Sequence, residues 1–138
     1  MNIIYYYAGK DDSSRKVKRI IEIIVATGKY QVFHKLPDFE NYLRSSVSHQ
    51  DIMIMQANNI KSLQKLTELK DFFSDQRIIL ILPDSKKETL ALAHTLRPRF
   101  ITYQDSDLRE MATVLSNMLR TAHTCADGHQ IPSTSTNT

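Results

Sequence analysis

Apolar residues along this chain keep two different rhythms. Short runs that are apolar almost throughout recur: Ile3-Ile4-Tyr5-Tyr6-Tyr7, Gln31-Val32-Phe33-His34-Lys35, Asp51-Ile52-Met53-Ile54-Met55-Gln56, Arg77-Ile78-Ile79-Leu80-Ile81-Leu82 and Phe100-Ile101-Thr102-Tyr103. Runs of this length, rich in β-branched and aromatic residues, predict strands buried on both faces. Between them the apolar residues spread to helical spacing. Val17, Ile20, Ile21 and Ile24 mark a first helix, and Phe39, Tyr42 and Leu43 a short second one. Ile60, Leu63, Leu66, Leu69 and Phe73 predict a third, with Lys61, Lys65, Glu68 and Lys70 on its wet side. Residues 86–96 form a fourth, and Leu108, Met111, Ala112, Leu115, Met118 and Leu119 a last one. Asp11-Asp12-Ser13-Ser14 and Asp105-Ser106-Asp107 supply caps, Gly28 a stop, and Pro37, Pro83 and Pro98 separate elements.

Strands alternating with helices bury themselves best as a parallel sheet with right-handed crossovers. The expected fold is α/β: a three-layer αβα sandwich on a five-stranded, doubly wound parallel sheet, in the flavodoxin-like order 2-1-3-4-5. The run 77–82, the most apolar, reads as a central strand. In the first strand, alternation puts Tyr5 and Tyr7 on one face and Tyr6 on the other.

A chain of 138 residues is long enough for one domain with a proper core. The pattern assigns residues 1–123 to that domain. The polar, breaker-rich residues 124–138 read as a disordered tail or linker, because they have too little apolar surface to offset their ordering entropy. A net charge of +3 is mildly basic, and Asp11 and Asp12 interrupt the cluster of Lys10, Arg15, Lys16, Lys18 and Arg19. Nucleic acid is not expected as a partner of this domain, since no broad basic stripe is present. Cys125 is the only cysteine, so no internal disulfide forms. No apolar run approaches the roughly 20 residues that cross a bilayer, and the expected location is the cytoplasm. His123, Cys125 and His129 all fall in the tail and lack the preformed geometry of a zinc site. No glycine-rich phosphate loop and no nucleophile-elbow motif occur, so neither cofactor nor enzymatic activity is expected.

The order and lengths of these segments resemble the receiver domain of bacterial response regulators over about residues 1–122. The likeness rests on Asp51 to Met55 before a loop, Arg77 to Leu82 before a polar loop, and Phe100 to Tyr103 before the final amphipathic helix. A receiver needs an acidic pair for Mg²⁺ after its first strand and a phosphate-accepting Asp ending its third. It also needs a hydroxyl after the fourth strand, and a Lys followed by a cis-Pro after the fifth. By this resemblance the acidic pair falls on Tyr7 and Ala8, or on Ala8 and Gly9. The acceptor falls on Gln56, the hydroxyl on Leu82 or Pro83, the Lys on Tyr103 and the cis-Pro on Gln104. Every element of the phosphorylation site is replaced, which is the pattern of a pseudo-receiver. Asp11 and Asp12 read as helix capping, with a metal role as the alternative; Asp84 and Ser85 read as turn chemistry.

Two functions follow. The first is a phosphorylation-independent signalling module that binds a protein partner or a second copy of itself. The resemblance places its surface on residues 86–97, 100–104 and 107–122, with Leu90, Tyr103, Arg109, Glu110 and Arg120 on it, and allows for an output domain joined beyond the tail. The second is a small-ligand or enzymatic domain, taking a phosphate, flavin or nucleotide near Ala8, Gly9, Asn58, Asn59 and Ser85. At the strand ends, Tyr7, Gln56 and Tyr103 are expected to converge and fill the space a receiver gives to phosphate and metal.

Overall fold

A computed structural model of the chain describes residues 3–7, 12–25, 30–45, 51–73, 76–106 and 108–126. Their elements are β1 (Ile3–Tyr7), α1 (Asp12–Ile24), β2 (Tyr30–Phe33), α2 (Leu36–Ser45), β3 (Ile52–Gln56), α3 (Ile60–Thr67), β4 (Arg77–Leu82), α4 (Lys87–Thr95), β5 (Phe100–Tyr103) and α5 (Arg109–Ala126). All strand pairings are parallel. The sheet order is β2-β1-β3-β4-β5, as the alternating pattern predicts. The middle place belongs to β3, so the most apolar strand, β4, is interior but not central.

The two faces of the sheet carry separate cores. Tyr5 and Tyr7 join Ile52, Ile54, Ile79 and Ile81 beneath α1 and α5, which contribute Val17, Ile21, Met111 and Leu115. Ile4 and Tyr6 join Met53, Met55, Leu80 and Leu82 beneath the helices of the other face, which contribute Phe39, Leu63 and Ala93. Aromatic stacking organises this second core: the Tyr6 and Phe39 rings lie 4.8 Å apart and nearly parallel, at 9°.

Several boundaries differ from the sequence expectation. His34 and Lys35 leave β2, and α2 starts at Leu36, with Pro37 inside its first turn. There a missing N–H costs nothing, because first-turn amides have no intrahelical acceptor. The expected third helix is two pieces: α3 stops at Thr67 and a short 3-10 helix spans Lys70–Phe73. The bonds Leu69 N to Leu66 O (3.0 Å) and Phe72 N to Leu69 O (2.9 Å) tighten the spacing to three residues. That spacing brings Leu69 and Phe73 onto the same core as Leu63 and Leu66. Finally, α5 continues to Ala126, past the change of composition at 123.

Arg97 ends α4 in the left-handed region, at φ 53°, and its N–H donates to His94 O. A side chain there costs about 1–2 kcal/mol, and glycine's extra freedom in the unfolded chain returns about 0.4–1 of it. Arg97→Gly is therefore expected to raise stability by about 0.5–1 kcal/mol, read as a higher urea midpoint at unchanged slope. An unchanged or lower midpoint would show that the Arg97 side chain compensates its backbone.

Candidate functional site

In open α/β sheets, ligands and chemistry collect outside the carboxyl ends of the strands. Here that edge is formed by Tyr7, Gln56, Ile81 and Thr102, aligned by register across four strands. The strand β3 continues one bond further, Ala57 N donating to Ile81 O at 3.0 Å, before turning into α3.

Gln56 is 2% exposed and lies on the α1–α5 face with Ile52 and Ile54. Its Oε1 accepts a hydrogen bond from the Tyr5 hydroxyl at 2.5 Å. Tyr5 in turn stacks on Tyr7 with ring centroids 5.2 Å apart, and His34 meets Tyr7 edge-on at 4.7 Å. The end of β3 thus carries a neutral amide that accepts from a phenol, beside the Tyr7 ring of the neighbouring strand. A buried amide of this kind needs hydrogen-bond partners, and the Tyr5 hydroxyl is one of them.

Tyr7 and Gln56 lie side by side as expected, but Tyr103 does not join them. Its register partner is Leu82, one step beyond the Gln56 level, and its ring packs on the opposite core. The period-two alternation of β5 decides this: Thr102, not Tyr103, faces the Gln56 side. Thr102 is buried and shares a hydrogen bond with Ser106, Oγ1 to Oγ at 2.8 Å, while Ser106 also donates to Tyr103 O. Sequence reading missed this hydroxyl pair. The signal was a lone threonine in an apolar strand followed four residues later by serine.

Leu82 is fully buried in the α2–α3–α4 core, and Pro83 is half-buried behind it. Gln104 donates its backbone N–H to Leu82 O, and its Oε1 is buried without a hydrogen-bond partner among the described residues. Ala8, Gly9 and Asp11 lie outside the described residues. Asp84 behaves as turn chemistry: its carboxylate accepts from Thr89 Oγ1 at 2.7 Å and from Lys86 N at 2.9 Å. Those bonds, Thr89's first, hold its pKa below the ordinary carboxylate value. Asn59 caps α3 by accepting from Ser62 N, and Asn58 accepts from Ser62 Oγ, which accounts for both amides locally. Among the described residues no group of three or more His, Cys, Asp or Glu side chains is placed to hold a metal.

On the expected interaction surface, Arg109, Glu110 and Arg120 are exposed along α5, and Arg120 donates to Asn117 Oδ1. Leu90 and Tyr103 are partly buried against the core. No helix of the described residues is long and apolar enough to cross a membrane.

No protein-family model matches the sequence, and no curated protein does. Solved structures do match. A response regulator receiver domain from Rhodospirillum rubrum superposes with a TM-score of 0.60 at 12% identity, over 97% of this chain and 99% of that one. A CheY-like response regulator protein from Mesorhizobium loti gives 0.56 at 12% identity, over 88% and 98%. A putative pilus assembly-related protein from Burkholderia pseudomallei gives 0.55 at 17%, over 88% of each chain. With the sheet order and both helical layers in agreement, this chain has the receiver-domain fold.

Proposed function

We propose that this chain is a receiver-like signalling module that works without phosphorylation, by binding a protein partner or a second copy of itself. The observation that carries the reading is the buried Gln56 amide, bonded to the Tyr5 hydroxyl at the end of β3, where a receiver has its acceptor carboxylate. An amide has no useful nucleophilicity toward an acyl phosphate, and Tyr7 beside it offers an aromatic ring in place of a metal-binding carboxylate. The domain is neither an enzyme nor a cofactor carrier in this reading. Its partner surface is α4, β5 and α5, where Arg109, Glu110 and Arg120 are exposed and can pair across a two-fold axis.

Two measurements test it together. Beryllofluoride with Mg²⁺, titrated into the protein and followed by amide NMR, is expected to leave Gln56, Ala57 and Asn58 unmoved. Saturable shifts at those residues would overturn phosphorylation independence. Sedimentation across a concentration series is expected to show self-association weakened by Arg109→Glu or Arg120→Glu. A chain that stays monomeric, and whose captured protein partners ignore both variants, would remove the surface from the proposal.

A further inference from the structure

Between the loop after β2 and the start of α3, on the Tyr6 face of the sheet, lies a cleft of about 500 Å³ that meets the Gln56 site at His34, whose ring touches Tyr7. Lys35, Lys61 and Lys65 line it together with His34, and among the described residues no carboxylate does. Its floor is Tyr6, and Leu36 and Pro37 form an apolar wall. None of the three lysines has an ion-pair partner among the described residues, where Arg44–Glu40 is the salt bridge present.

Lys61 and Lys65 are four apart on α3, so they lie on one helix face and repel each other at a few tenths of a kcal/mol. Lys35, the residue before α2, lines the same cleft. Three like charges around one hollow raise a local positive potential, which concentrates anions there. The field adds to that of the first turns of α2 and α3, which flank the same hollow. The volume lies within the range of small-molecule sites and exceeds what a bare phosphate fills. The Leu36–Pro37 wall and the His34 ring are left for an organic portion.

We propose that this cleft binds a phosphate ester of about mononucleotide size, its phosphate among Lys35, Lys61 and Lys65 and its organic part against Leu36, Pro37 and His34. The ligand belongs to the open side of the sheet edge, on the Tyr6 face, and leaves the Tyr5–Gln56 bond intact. It gives the domain a chemical input that does not pass through an acceptor aspartate.

The test uses the whole chain and three probes: adenosine monophosphate, inorganic pyrophosphate and adenosine. Adenosine monophosphate is expected to shift the amides of His34, Lys35, Asn59 and Lys61 to Lys65 saturably, and to bind more weakly as salt is raised. Lys61→Glu with Lys65→Glu is expected to weaken it about tenfold or more, the scale of losing charged hydrogen bonds, with amides of β4 and α5 unchanged. No saturable shift by adenosine monophosphate or pyrophosphate overturns the site. So does binding that survives the double charge reversal, or adenosine binding as tightly as its phosphate. Pyrophosphate binding without adenosine monophosphate binding would overturn the placement of the organic part. Failure at Gln56 in the beryllofluoride titration is read at different residues, so the two proposals fail separately.

Discussion

Gln56→Glu is expected to destabilise the domain by about 3 kcal/mol at neutral pH, the low end for a buried charge without full compensation. The substitution keeps the shape of the side chain and exchanges an amide for a carboxylic acid at a 2% exposed position. Burial disfavours the charged form, so the folded-state pKa rises above the roughly 4.3 of an exposed glutamate, and the Tyr5 hydroxyl offsets this only in part. The folded state then holds a proton that the unfolded state has lost. Below about pH 4 both states are protonated and the variant loses little on this account. As pH rises past that value the penalty grows, and it levels off above the raised folded pKa. Urea denaturation of both proteins at pH 4 and pH 7.5 reads the difference directly. A variant within about 0.5 kcal/mol of the parent at pH 7.5 would mean that residue 56 is solvated, and the dry amide site would be abandoned.

The largest loss from an apolar truncation is expected at Phe39, where alanine should cost about 3–5 kcal/mol. Phe39 is fully buried in α2, and its ring meets three others: Tyr6 at 4.8 Å, Phe33 at 5.9 Å and Phe73 at 6.2 Å. Removing it leaves a cavity that rings fixed on a strand and a 3-10 turn cannot refill. Phe39→Leu keeps most of the volume and forfeits the stack, for about 1–2 kcal/mol. The leucine variant keeps the test readable if the alanine variant does not fold. Comparable urea midpoints for Phe39→Leu and the parent would show that stacking contributes nothing beyond volume.

The strands were legible because each is covered on both faces and reads as an unbroken apolar run, β4 most plainly. The order 2-1-3-4-5 followed from alternation with helices. The break after α3 was not read, because Leu63, Leu66, Leu69 and Phe73 also fit one continuing helix face, and the 3-10 turn over Lys70–Phe73 keeps the last two on the same core. At the site, Gln56 was legible because its position follows from counting along β3. Its partner was not: a hydrogen bond from Tyr5, 51 residues away, depends on the pairing of β1 with β3 and on which tyrosines share a face. Tyr103 was misplaced because its position along the chain was weighed and its parity was not. The lysine cleft was hidden because Lys35 sits far from Lys61 and Lys65 in sequence, and the two on α3 read simply as a wet face.

The run Ile3-Ile4-Tyr5-Tyr6-Tyr7 has a bearing on how the chain finds its pairing. Slide β1 forward by one step, so that each position receives its successor, and three of five positions are refilled by the same residue type. Only the Ile4 slot, which would take a tyrosine, and the Tyr7 slot, which would take Ala8, change occupant. Slide it the other way and the misfits are Asn2 in the Ile3 slot and an isoleucine in the Tyr5 slot. Discrimination against the offset sheets is therefore concentrated in two slots per direction, Ile4 and Tyr7 against one offset and Ile3 and Tyr5 against the other, which makes these residues proofreaders of alignment as well as packing residues.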